Sequence, residues 1–408
     1  MSFLITDGMQ SRIDEYFLRI GQHLPDRRQR ASFATYAYGL LGDCERKSVE
    51  PIAARACADP AECKNLQNRL LDFLGRGRWE DRPIRLEAAR YAIEALSVRE
   101  KVCTWVIDDT GFLKQGKGSV GVQRQYTGSA GKTANCQIGV SLSIATQGEQ
   151  LPIDFELYIP ESWTSDPDRC SVARIPKDYV FKTKTELAMD MMRRAKKASI
   201  PGGVVLADSA YGEAVKFRQC VRELAFDFAV GIHGPTKVWR VRADNEPMGE
   251  AISAQQLGVQ LGTKAFRRYT WRESTNGKKM SSRFCFRRVK VAANDGTLLD
   301  EREVLWLMME WPDSETLPTK FTLTTLPENM SKKQIIRVVK ERWKTERVYE
   351  EMKGELGLDH FEGRSFQGWH HHVSVAICCY VLIVAERARS FPPSGTREGT
   401  SHPINCSP

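Results

Sequence analysis

The chain has 408 residues and a mass of 46.2 kDa, so we expect two or three packed units rather than one domain. Hydrophobic residues make up 41% and charged residues 27%, which is typical of a globular protein and excludes a disordered or membrane chain. No apolar run reaches the roughly 18 residues of a membrane helix, and the N-terminus lacks a signal-peptide pattern. These features predict a cytoplasmic protein whose eleven scattered cysteines are buried, reduced thiols.

The net charge of +9 is unevenly distributed along the chain. Residues 1–100 carry 16 Lys and Arg against 15 Asp and Glu, whereas residues 264–290 contain ten basic side chains and one acid, Glu273. The ten are Lys264, Arg267, Arg268, Arg272, Lys278, Lys279, Arg283, Arg287, Arg288 and Lys290. A segment so charged repels itself unless a polyanion such as DNA lies against it. A solvated hairpin surface is the alternative interpretation.

Residues 1–100 predict a helical N-terminal domain. Apolar residues recur at helical spacing in Ile13–Ile20 and again in Leu66–Leu74. A further helix is predicted to begin near Pro83, a residue that suits the first helical position. No side chain in this domain indicates chemistry, so its predicted role in DNA binding depends on the rest of the chain.

Residues 101–232 predict the first part of a mixed α/β core. An apolar run ends at Ile107 and leads into Asp108 and Asp109, which indicates a buried strand that ends in carboxylates. Further strands are predicted over 136–145, 153–159, 203–207 and 226–232, with helices over 185–198 and 213–224. The third of these strands leads into Asp208. The three consecutive strands suggest a meander, and the order up to this point is strand, strand, strand, helix, strand.

Residues 233–328 are β-rich by pattern, and the remainder is predicted to be helical. The segments 266–271 and 283–291 flank Asn276-Gly277, a strong hairpin indication, and strands are predicted over 304–310 and 321–326. Trp271 lies among the arginines, where it would stack on a base or simply pack within the sheet. Residues 329–388 are predicted to hold the second part of the core, with a helix from Ser331 to about Gly354. Residues 389–408 have the composition of a disordered tail.

Two aspartates after apolar strands and one glutamate on a late helix are candidates for a metal site. A single aspartate after a strand is usually a turn former or a helix cap, so Asp109 and Asp208 are weak indications alone. On a continuous helix, Arg342, Glu346 and Lys353 would lie within about 40° of one another. One face would then hold a metal ligand between two cations, or merely a surface salt-bridge ladder.

Several motifs carry a resemblance to a known family. The chain resembles bacterial insertion-sequence transposases of the DDE type over roughly residues 30–385. The matching motifs are Ile107–Phe112, Leu206–Gly212, Arg342–Glu346 with Lys353, Gly354–His360 and Gly363–Ser365. The helix motif is similar to the family signature Y-x2-R-x3-E-x6-K, except that Val339 stands at the tyrosine position.

The resemblance implies an RNase H-like fold, a mixed sheet flanked by helices, with a β-rich insertion at 233–328 between the second aspartate and the glutamate. It implies that Asp109, Asp208 and Glu346 are both the catalytic residues and the ligands of two Mg²⁺ ions, with Mn²⁺ as an alternative. The family pattern places the catalytic aspartate directly before Thr110, which selects Asp109 and leaves Asp108 as the alternative. Arg342 and Lys353 are expected to contact DNA phosphates, together with Trp271 and the basic side chains of 264–290.

The expected activity is DNA cleavage at the ends of a mobile element, followed by strand transfer. The expected partners are double-stranded DNA, as terminal inverted repeats and as target, and a second copy of the chain in a synaptic complex. Two alternatives stay open. One is an RNase H-like nuclease or resolvase that cuts without joining, and the other is an inactive, transposase-derived DNA-binding protein, which the substitution at Val339 keeps in view.

Two further motifs resemble cofactor sites, but neither is expected to bind a cofactor. Tyr126–Thr133 ends like a phosphate-binding loop, but Tyr126 stands where the first glycine is required, so ATP use is not expected. His370, His371 and His372 are adjacent, and neighbouring helical positions point in different directions, so a zinc site is not favoured either.

Overall fold

A computed structural model describes residues 7–273, 277, 279–293 and 303–390 of the chain. The α-helices are α1 Asp7–Gly21, α2 Arg27–Leu41, α3 Val49–Ala56, α4 Pro60–Gly75, α5 Asp81–Ser97, α6 Glu161–Thr164, α7 Pro167–Val172, α8 Lys184–Lys197, α9 Ser209–Gly212, α10 Val215–Glu223, α11 Ala254–Leu261, α12 Lys332–Lys340, α13 Lys344–Leu356 and α14 Phe366–Ser390. Short 3₁₀ turns span Gly128–Ala130, Thr263–Ala265 and Glu341–Trp343.

The strands are β1 Thr104–Leu113, β2 Gln123–Thr127, β3 Lys132–Ala145, β4 Gln150–Tyr158, β5 Val204–Ala207, β6 Asp227–Ile232, β7 Lys237–Val241, β8 Pro247–Ser253, β9 Arg267–Glu273, β10 Lys279–Val291, β11 Leu305–Trp311 and β12 Lys320–Thr324. The contacts divide the chain into two compact units. Of the described residues, unit 1 comprises those within 1–103, 108–201 and 344–408, and unit 2 comprises those within 104–107 and 202–343. Strand β1 therefore contributes residues to both units.

Unit 1 is built around α14, whose side chains are buried along most of its length. This helix packs on α5, α2, α4 and β4, and its apolar side chains supply the core between them. By length and composition α14 could cross a membrane, but 94% of its most apolar window is buried inside the protein. We therefore interpret α14 as a core helix.

The N-terminal helices are grouped with unit 1 and do not form a unit of their own. The reason is that the apolar faces of α2, α4 and α5 are covered by α14, which comes from the other end of the chain. This grouping differs from the boundary predicted at residue 100. It joins the helical segment to the strands β2, β3 and β4 and to α13.

The strands of unit 1 are organised around β3. Strand β2 pairs with Lys132–Cys136 and strand β4 with Ile138–Ala145, both antiparallel, so β2 and β4 use successive parts of β3. The predicted strands at 136–145 and 153–159 are confirmed as β3 and β4. Strand β2 was not predicted, because its exposed, polar sequence lacks an apolar pattern.

Unit 2 contains a mixed sheet in the order β1, β5, β6, β12, β11, β10, β7, β8, with β9 also paired to β10. Residues 104–106 of β1 pair with β5 in parallel, and β5 pairs with β6 in parallel. From β12 onwards the pairs are antiparallel, so the predicted β-rich insertion continues the sheet that begins with β5 and β6. The predicted mixed α/β fold with flanking helices is confirmed.

The basic segment forms the predicted hairpin. Strands β9 and β10 pair antiparallel, with a bulge between Met280 and Ser281. Gly277 has a φ of +73°, a conformation that glycine adopts readily in a hairpin turn. Asn276, Lys278 and residues 391–408 of the predicted disordered tail lie outside the described residues. The first two residues of that predicted tail, Arg389 and Ser390, instead form the end of α14.

Two predicted element boundaries are wrong. Strand β1 does not end at the aspartates but continues to Leu113, because Thr110, Gly111 and Phe112 are themselves buried in the sheet. The helix predicted from Ser331 to about Gly354 is interrupted by the 3₁₀ turn at 341–343. Its N-cap is as expected, since Ser331 forms a capping box with Gln334.

Candidate active site

Asp109 lies within β1 and forms an ion pair with a lysine from α8. The Nζ atom of Lys184 is 3.1 Å from Oδ2 of Asp109, and the two side chains are 32% and 21% exposed. The neighbouring Asp108 accepts a hydrogen bond from the backbone N–H of Asp109 at 2.8 Å through its Oδ1 atom. The Asp109 carboxylate thus binds a cationic group.

Lys184 is held in place by the start of α8. It is the first residue of the helix, directly after Thr183, whose side chain and backbone form a capping box with Glu186. A cation in the first turn is opposed by the helix dipole. The Asp109 carboxylate offsets that cost, so the lysine is explained by its partner on β1 and not by the helix.

Asp208 directly follows β5 and caps α9 in unit 2. Its Oδ1 atom accepts a hydrogen bond from the backbone N–H of Ala210 at 2.9 Å. The turn that carries it is seated tightly on β6, because a Cβ atom on Gly212 would lie 1.9 Å from the carbonyl oxygen of Gly231. This close approach explains the glycine that ends the second aspartate motif, since any side chain there would displace the turn.

Glu346 is an exposed residue on α13, and that helix is fixed on the strands of unit 1. The hydroxyl of buried Thr345 accepts a hydrogen bond from Gln150 of β4 at 2.7 Å. One turn later, the hydroxyls of Tyr349 and Ser141 of β3 are 2.6 Å apart. These buried contacts set the rotation of α13 so that the Glu346 carboxylate faces solvent.

Lys353 lies two turns after Glu346 and is tied to β1 immediately beyond Asp109. Its Nζ atom donates hydrogen bonds to Oγ1 of Thr110 at 2.9 Å, to the carbonyl oxygen of Gly111 at 2.8 Å and to Oγ of Ser129 at 3.0 Å. Burial lowers the pKa of Lys353, and the negative charge of Asp359 opposes this shift. We define Lys353, Thr110, Gly111 and Ser129 as the Lys353 clamp.

Arg342 does not share a helix with Glu346 and Lys353. It lies in the 3₁₀ turn and in unit 2, whereas α13 begins at Lys344 in unit 1. The prediction that all three share one helical face is therefore wrong for Arg342. It holds for Glu346 and Lys353, which are seven residues apart on α13.

The donor chemistry of these side chains fits a divalent cation. Asp109, Asp208 and Glu346 offer carboxylate oxygens, the hard ligands that Mg²⁺ and Mn²⁺ prefer. The Asp109 carboxylate already binds the ammonium group of Lys184, so it is open to a cation. Within neither unit do the described residues bring three or more His, Cys, Asp or Glu side chains together as a metal-binding group.

The basic hairpin presents fewer accessible charges than its sequence suggests. Lys290 is buried, and Arg272, Arg283, Arg287 and Arg288 are half-buried. Several arginines have protein partners: Arg268 and Arg283 pair with Asp313, and Arg288 pairs with Glu328. Within the part of the chain that the structure describes, the exposed basic side chains of this segment without an acidic partner are Lys264, Arg267 and Lys279.

Trp271 is packed within unit 2. Its ring contacts Phe284 edge-on at 5.7 Å, and Nζ of Lys340 lies 4.7 Å from its centroid. The next residue, Arg272, places its guanidinium 3.7 Å from the ring of Trp343. The strand-packing interpretation of Trp271 is thus supported by direct contacts.

The two motifs that favoured no cofactor have structural roles. Tyr126–Thr133 forms the turn between β2 and β3, not the strand-to-helix loop that cradles phosphates. The three histidines are buried and turn to different partners. His370 is near Glu156, His371 stacks on Trp79, and His372 bonds to Tyr36.

Sequence reasoning missed Lys184, Thr110 and Ser129. Lys184 stands in a segment that reads as an ordinary basic helix start, and its pairing depends on the packing of α8 on the strands of unit 1. Ser129 belongs to the turn that resembles a phosphate-binding loop. No local pattern indicates a contact between this turn and a lysine more than two hundred residues later.

The parallel strands of unit 2, the aspartate inside β1 and the glutamate helix packed on β3 and β4 define an α/β protein with an RNase H-like fold. A family model described as DDE superfamily endonuclease matches residues 19–278, and a second, described as transposase DDE domain, matches residues 182–382. The chain belongs to the DDE superfamily endonucleases.

A curated relative gives the same indication. The chain is 28% identical over 221 residues to a protein of Microchaete diplosiphon described as a probable transposase for insertion sequence element IS701. The similarity covers 54% of this chain and 53% of that relative, so the chain spans about half the length of the relative it matches.

Proposed function

We propose that the protein is a DDE transposase that cleaves DNA at the ends of its own element and joins the freed ends to a target. The observation that carries the proposal is the environment of Asp109. A cation already pairs with its carboxylate, and Lys353 ties the next two residues of β1 to the helix that bears Glu346. The family match and the similarity to an insertion-sequence transposase support the same activity.

We propose Asp109, Asp208 and Glu346 as the residues that hold two divalent ions, with Mg²⁺ as the physiological ion and Mn²⁺ as an alternative. When bound, two such ions lower the pKa of the attacking water and stabilise the oxygen that leaves phosphorus. The three carboxylates contribute a charge of −3, which requires this compensation before a phosphodiester can approach. Lys184 would release Asp109 when the metal binds.

The proposed reaction proceeds in two displacements at phosphorus. In the first, water attacks the phosphodiester at the element end, the 3′-oxygen leaves, and it takes up a proton to become a 3′-OH. In the second, that hydroxyl loses its proton and attacks a target phosphodiester, and a target 3′-oxygen leaves. One phosphodiester forms for each one broken in the second step, so no external energy source is needed.

The proposed partner is double-stranded DNA, both as terminal repeats and as target, bound by two copies of the chain in a synaptic complex. Lys264, Arg267 and Lys279 are the proposed phosphate contacts of the basic segment 264–290, because they are exposed. Arg342 is a further proposed DNA contact. The protein would carry out this reaction on DNA inside the cell.

The test uses a plasmid that carries the gene together with its flanking sequence, incubated with the full chain in Mg²⁺. We expect cleavage at both flanks and joined products, and we expect Asp109→Asn, Asp208→Asn and Glu346→Gln each to abolish both while DNA binding is retained. Glu350→Gln is the matched control for Glu346, because Glu350 is an exposed acid one turn later on α13. Asp108→Asn tests the choice between the adjacent aspartates and should leave cleavage intact.

Each result has a defined meaning. Cleavage by all three carboxylate variants at the unaltered rate would disprove the proposed active site. Cleavage without any joined product would favour a nuclease or resolvase. DNA binding without cleavage by the unaltered chain, in Mg²⁺ and in Mn²⁺, would favour an inactive DNA-binding descendant, for which Val339 in place of the signature tyrosine would be a reason.

A further inference from the structure

The Lys353 clamp engages all the hydrogen-bonding capacity of one ammonium group. A lysine side chain has three N–H donors and no acceptor. Those of Lys353 meet three acceptors, Thr110 Oγ1, the Gly111 carbonyl oxygen and Ser129 Oγ, at distances between 2.8 and 3.0 Å. A phosphate oxygen that approached Lys353 would have to replace one of these bonds.

The clamp is also internally connected. The hydroxyls of Thr110 and Ser129 are 3.2 Å apart, and the backbone N–H of Gly111 lies 3.3 Å from Ser129 Oγ. The turn that carries Ser129 can approach β1 so closely because residue 111 is glycine. A Cβ atom there would lie 1.9 Å from Oγ1 of Thr127. The ammonium group thus sits on a prearranged set of oxygens.

Two of the three elements that meet at the clamp, β1 and α13, carry the proposed catalytic carboxylates of unit 1. Thr110 directly follows Asp109 on β1, and Ser129 is in the turn between β2 and β3. Lys353 is seven residues after Glu346, which on an α-helix is about 10 Å along the axis and nearly the same angular position. The clamp therefore determines how far α13 is shifted along β1, and with it the position of the Glu346 carboxylate relative to Asp109.

We propose that Lys353 is a positioning residue that fixes the glutamate helix on the strand of Asp109, and not a contact to DNA phosphate. This inference rests on the proposed function, since it assigns Asp109 and Glu346 to one active centre. It revises the expectation that Lys353 grips DNA. The loss of the ammonium group would leave three polar groups without their donor and allow α13 to shift.

The experiment measures end-DNA affinity between 50 and 200 mM salt and the cleavage rate at saturating DNA for Lys353→Met. We expect an unchanged dependence of affinity on salt, because no phosphate contact is lost. We expect the cleavage rate at saturation to fall about 100-fold, the effect of a displacement of about 1 Å in a catalytic group. Lys132→Met is the charge-matched control, because Lys132 is an exposed lysine at the start of β3. We expect this variant to leave the cleavage rate at saturating DNA unchanged.

A second set of variants separates position from charge. Lys353→Arg keeps the positive charge, but a planar guanidinium cannot direct three donors to the same three oxygens. We therefore expect it to be impaired in cleavage as Lys353→Met is, whereas a phosphate contact would tolerate it. Thr110→Val and Ser129→Ala each remove one acceptor without touching the lysine, and we expect each to reduce the saturated rate about tenfold.

The inference is overturned if Lys353→Met lowers the slope of log affinity against log salt by about 0.9 and regains the normal rate at high DNA concentration. An active Lys353→Arg variant would overturn it as well. If Lys353→Met does not fold, as judged by its thermal unfolding, the Thr110 and Ser129 variants decide the question, and normal rates for both would refute the clamp. Asp109→Asn in the same assay tests the proposed function separately.

Discussion

The ion pair between Lys184 and Asp109 is the contact with the most direct consequence for metal binding. A lysine in the first turn of α8 is unfavourable for the helix itself, and the nearby carboxylate offsets this effect. If Asp109 is a metal ligand, the same ammonium group competes with the metal for it. Lys184 would then lower the affinity of the DNA-free protein for the metal.

We expect Lys184→Gln to bind Mn²⁺ about two- to fivefold more tightly than the unaltered chain when no DNA is present. The reason is that a half-exposed ion pair stabilises by roughly 0.4–1 kcal/mol, which the metal must otherwise overcome. Titration calorimetry of the DNA-free protein measures the affinity. Lys182→Gln is the matched control, because Lys182 is two residues away and pairs with Asp190 instead. Equal Mn²⁺ affinities for the two variants would contradict the competition.

Residues differ in how much of their role the sequence could predict. Asp208 and Gly212 could be recognised together, because the aspartate caps a turn whose glycine is needed for its contact with β6. Lys353 could be identified as important, but its assignment to DNA was made without knowing its partners. The partners Thr110 and Ser129 are brought to it by packing, which a local pattern does not contain.

At the level of elements, the basic hairpin combines structural and accessible charges. Arg268, Arg283 and Arg288 form ion pairs within unit 2, and Arg272 covers the ring of Trp343. These arginines stabilise the packing of β9 and β10, so they are less available to bind a polyanion. The ten basic side chains of the sequence therefore overestimate the number of phosphate contacts.

We expect the triple variant Lys264→Gln, Arg267→Gln, Lys279→Gln to lower the slope of log affinity against log salt by about 2 to 3. The three side chains are exposed, so each can release about one counterion from DNA when it binds. Fluorescence anisotropy with end DNA between 50 and 200 mM salt measures the slope. Arg288→Gln removes a charge that is paired with Glu328, and it should change the slope much less. Identical slopes for the triple variant and the unaltered chain would favour the alternative interpretation, in which the hairpin is a solvated surface that does not bind DNA.

Element types were easier to predict than element boundaries. Strands β3, β5 and β11 coincide with apolar runs, and their predicted ends lie within a few residues of the observed ones. The break between α12 and α13 was not predicted, because Glu341–Trp343 contains no proline or glycine to mark it. Trp343, the last residue of the 3₁₀ turn, contacts the guanidinium of Arg272. We therefore attribute the break to tertiary packing and not to the local sequence.

For the molecule as a whole, the core of unit 1 links the N-terminal helices to the end of the glutamate helix. His372 of α14 accepts the hydroxyl hydrogen of Tyr36 of α2 at Nδ1, at a distance of 2.9 Å. Its Nε2 atom donates to the carbonyl oxygens of Gly357 and Leu358, at 3.2 and 3.1 Å, just beyond α13. The carbonyl oxygens only accept, so Nε2 of the neutral ring carries the hydrogen and Nδ1 is the acceptor for Tyr36. Protonation of Nδ1 would reverse the bond to Tyr36 and leave the buried hydroxyl hydrogen without this acceptor.

Burial lowers the pKa of His372 to about 4, although the carbonyl of Leu358 opposes the shift. In the unfolded chain the pKa is about 6.5, so the unfolded state takes up a proton first as the pH falls. The resulting stability is complete above pH 6.5 and is lost progressively down to about pH 4. Between pH 7.5 and pH 5 we expect this histidine alone to lower the free energy of unfolding by ~2 kcal/mol.

Urea unfolding at several pH values, followed by tryptophan fluorescence, measures this effect for the unaltered chain and for His372→Gln. Glutamine can donate to the Leu358 carbonyl and accept from Tyr36, but it does not titrate. We therefore expect the stability difference between the two proteins to shrink by ~2 kcal/mol from pH 7.5 to pH 5. A constant difference across this range would mean that the pKa of His372 is the same in the folded and unfolded states, and it would contradict the prediction. A shrinking difference would mean that proton uptake by His372 in the unfolded chain opposes the burial of the neutral ring, which contacts both α2 and the end of α13.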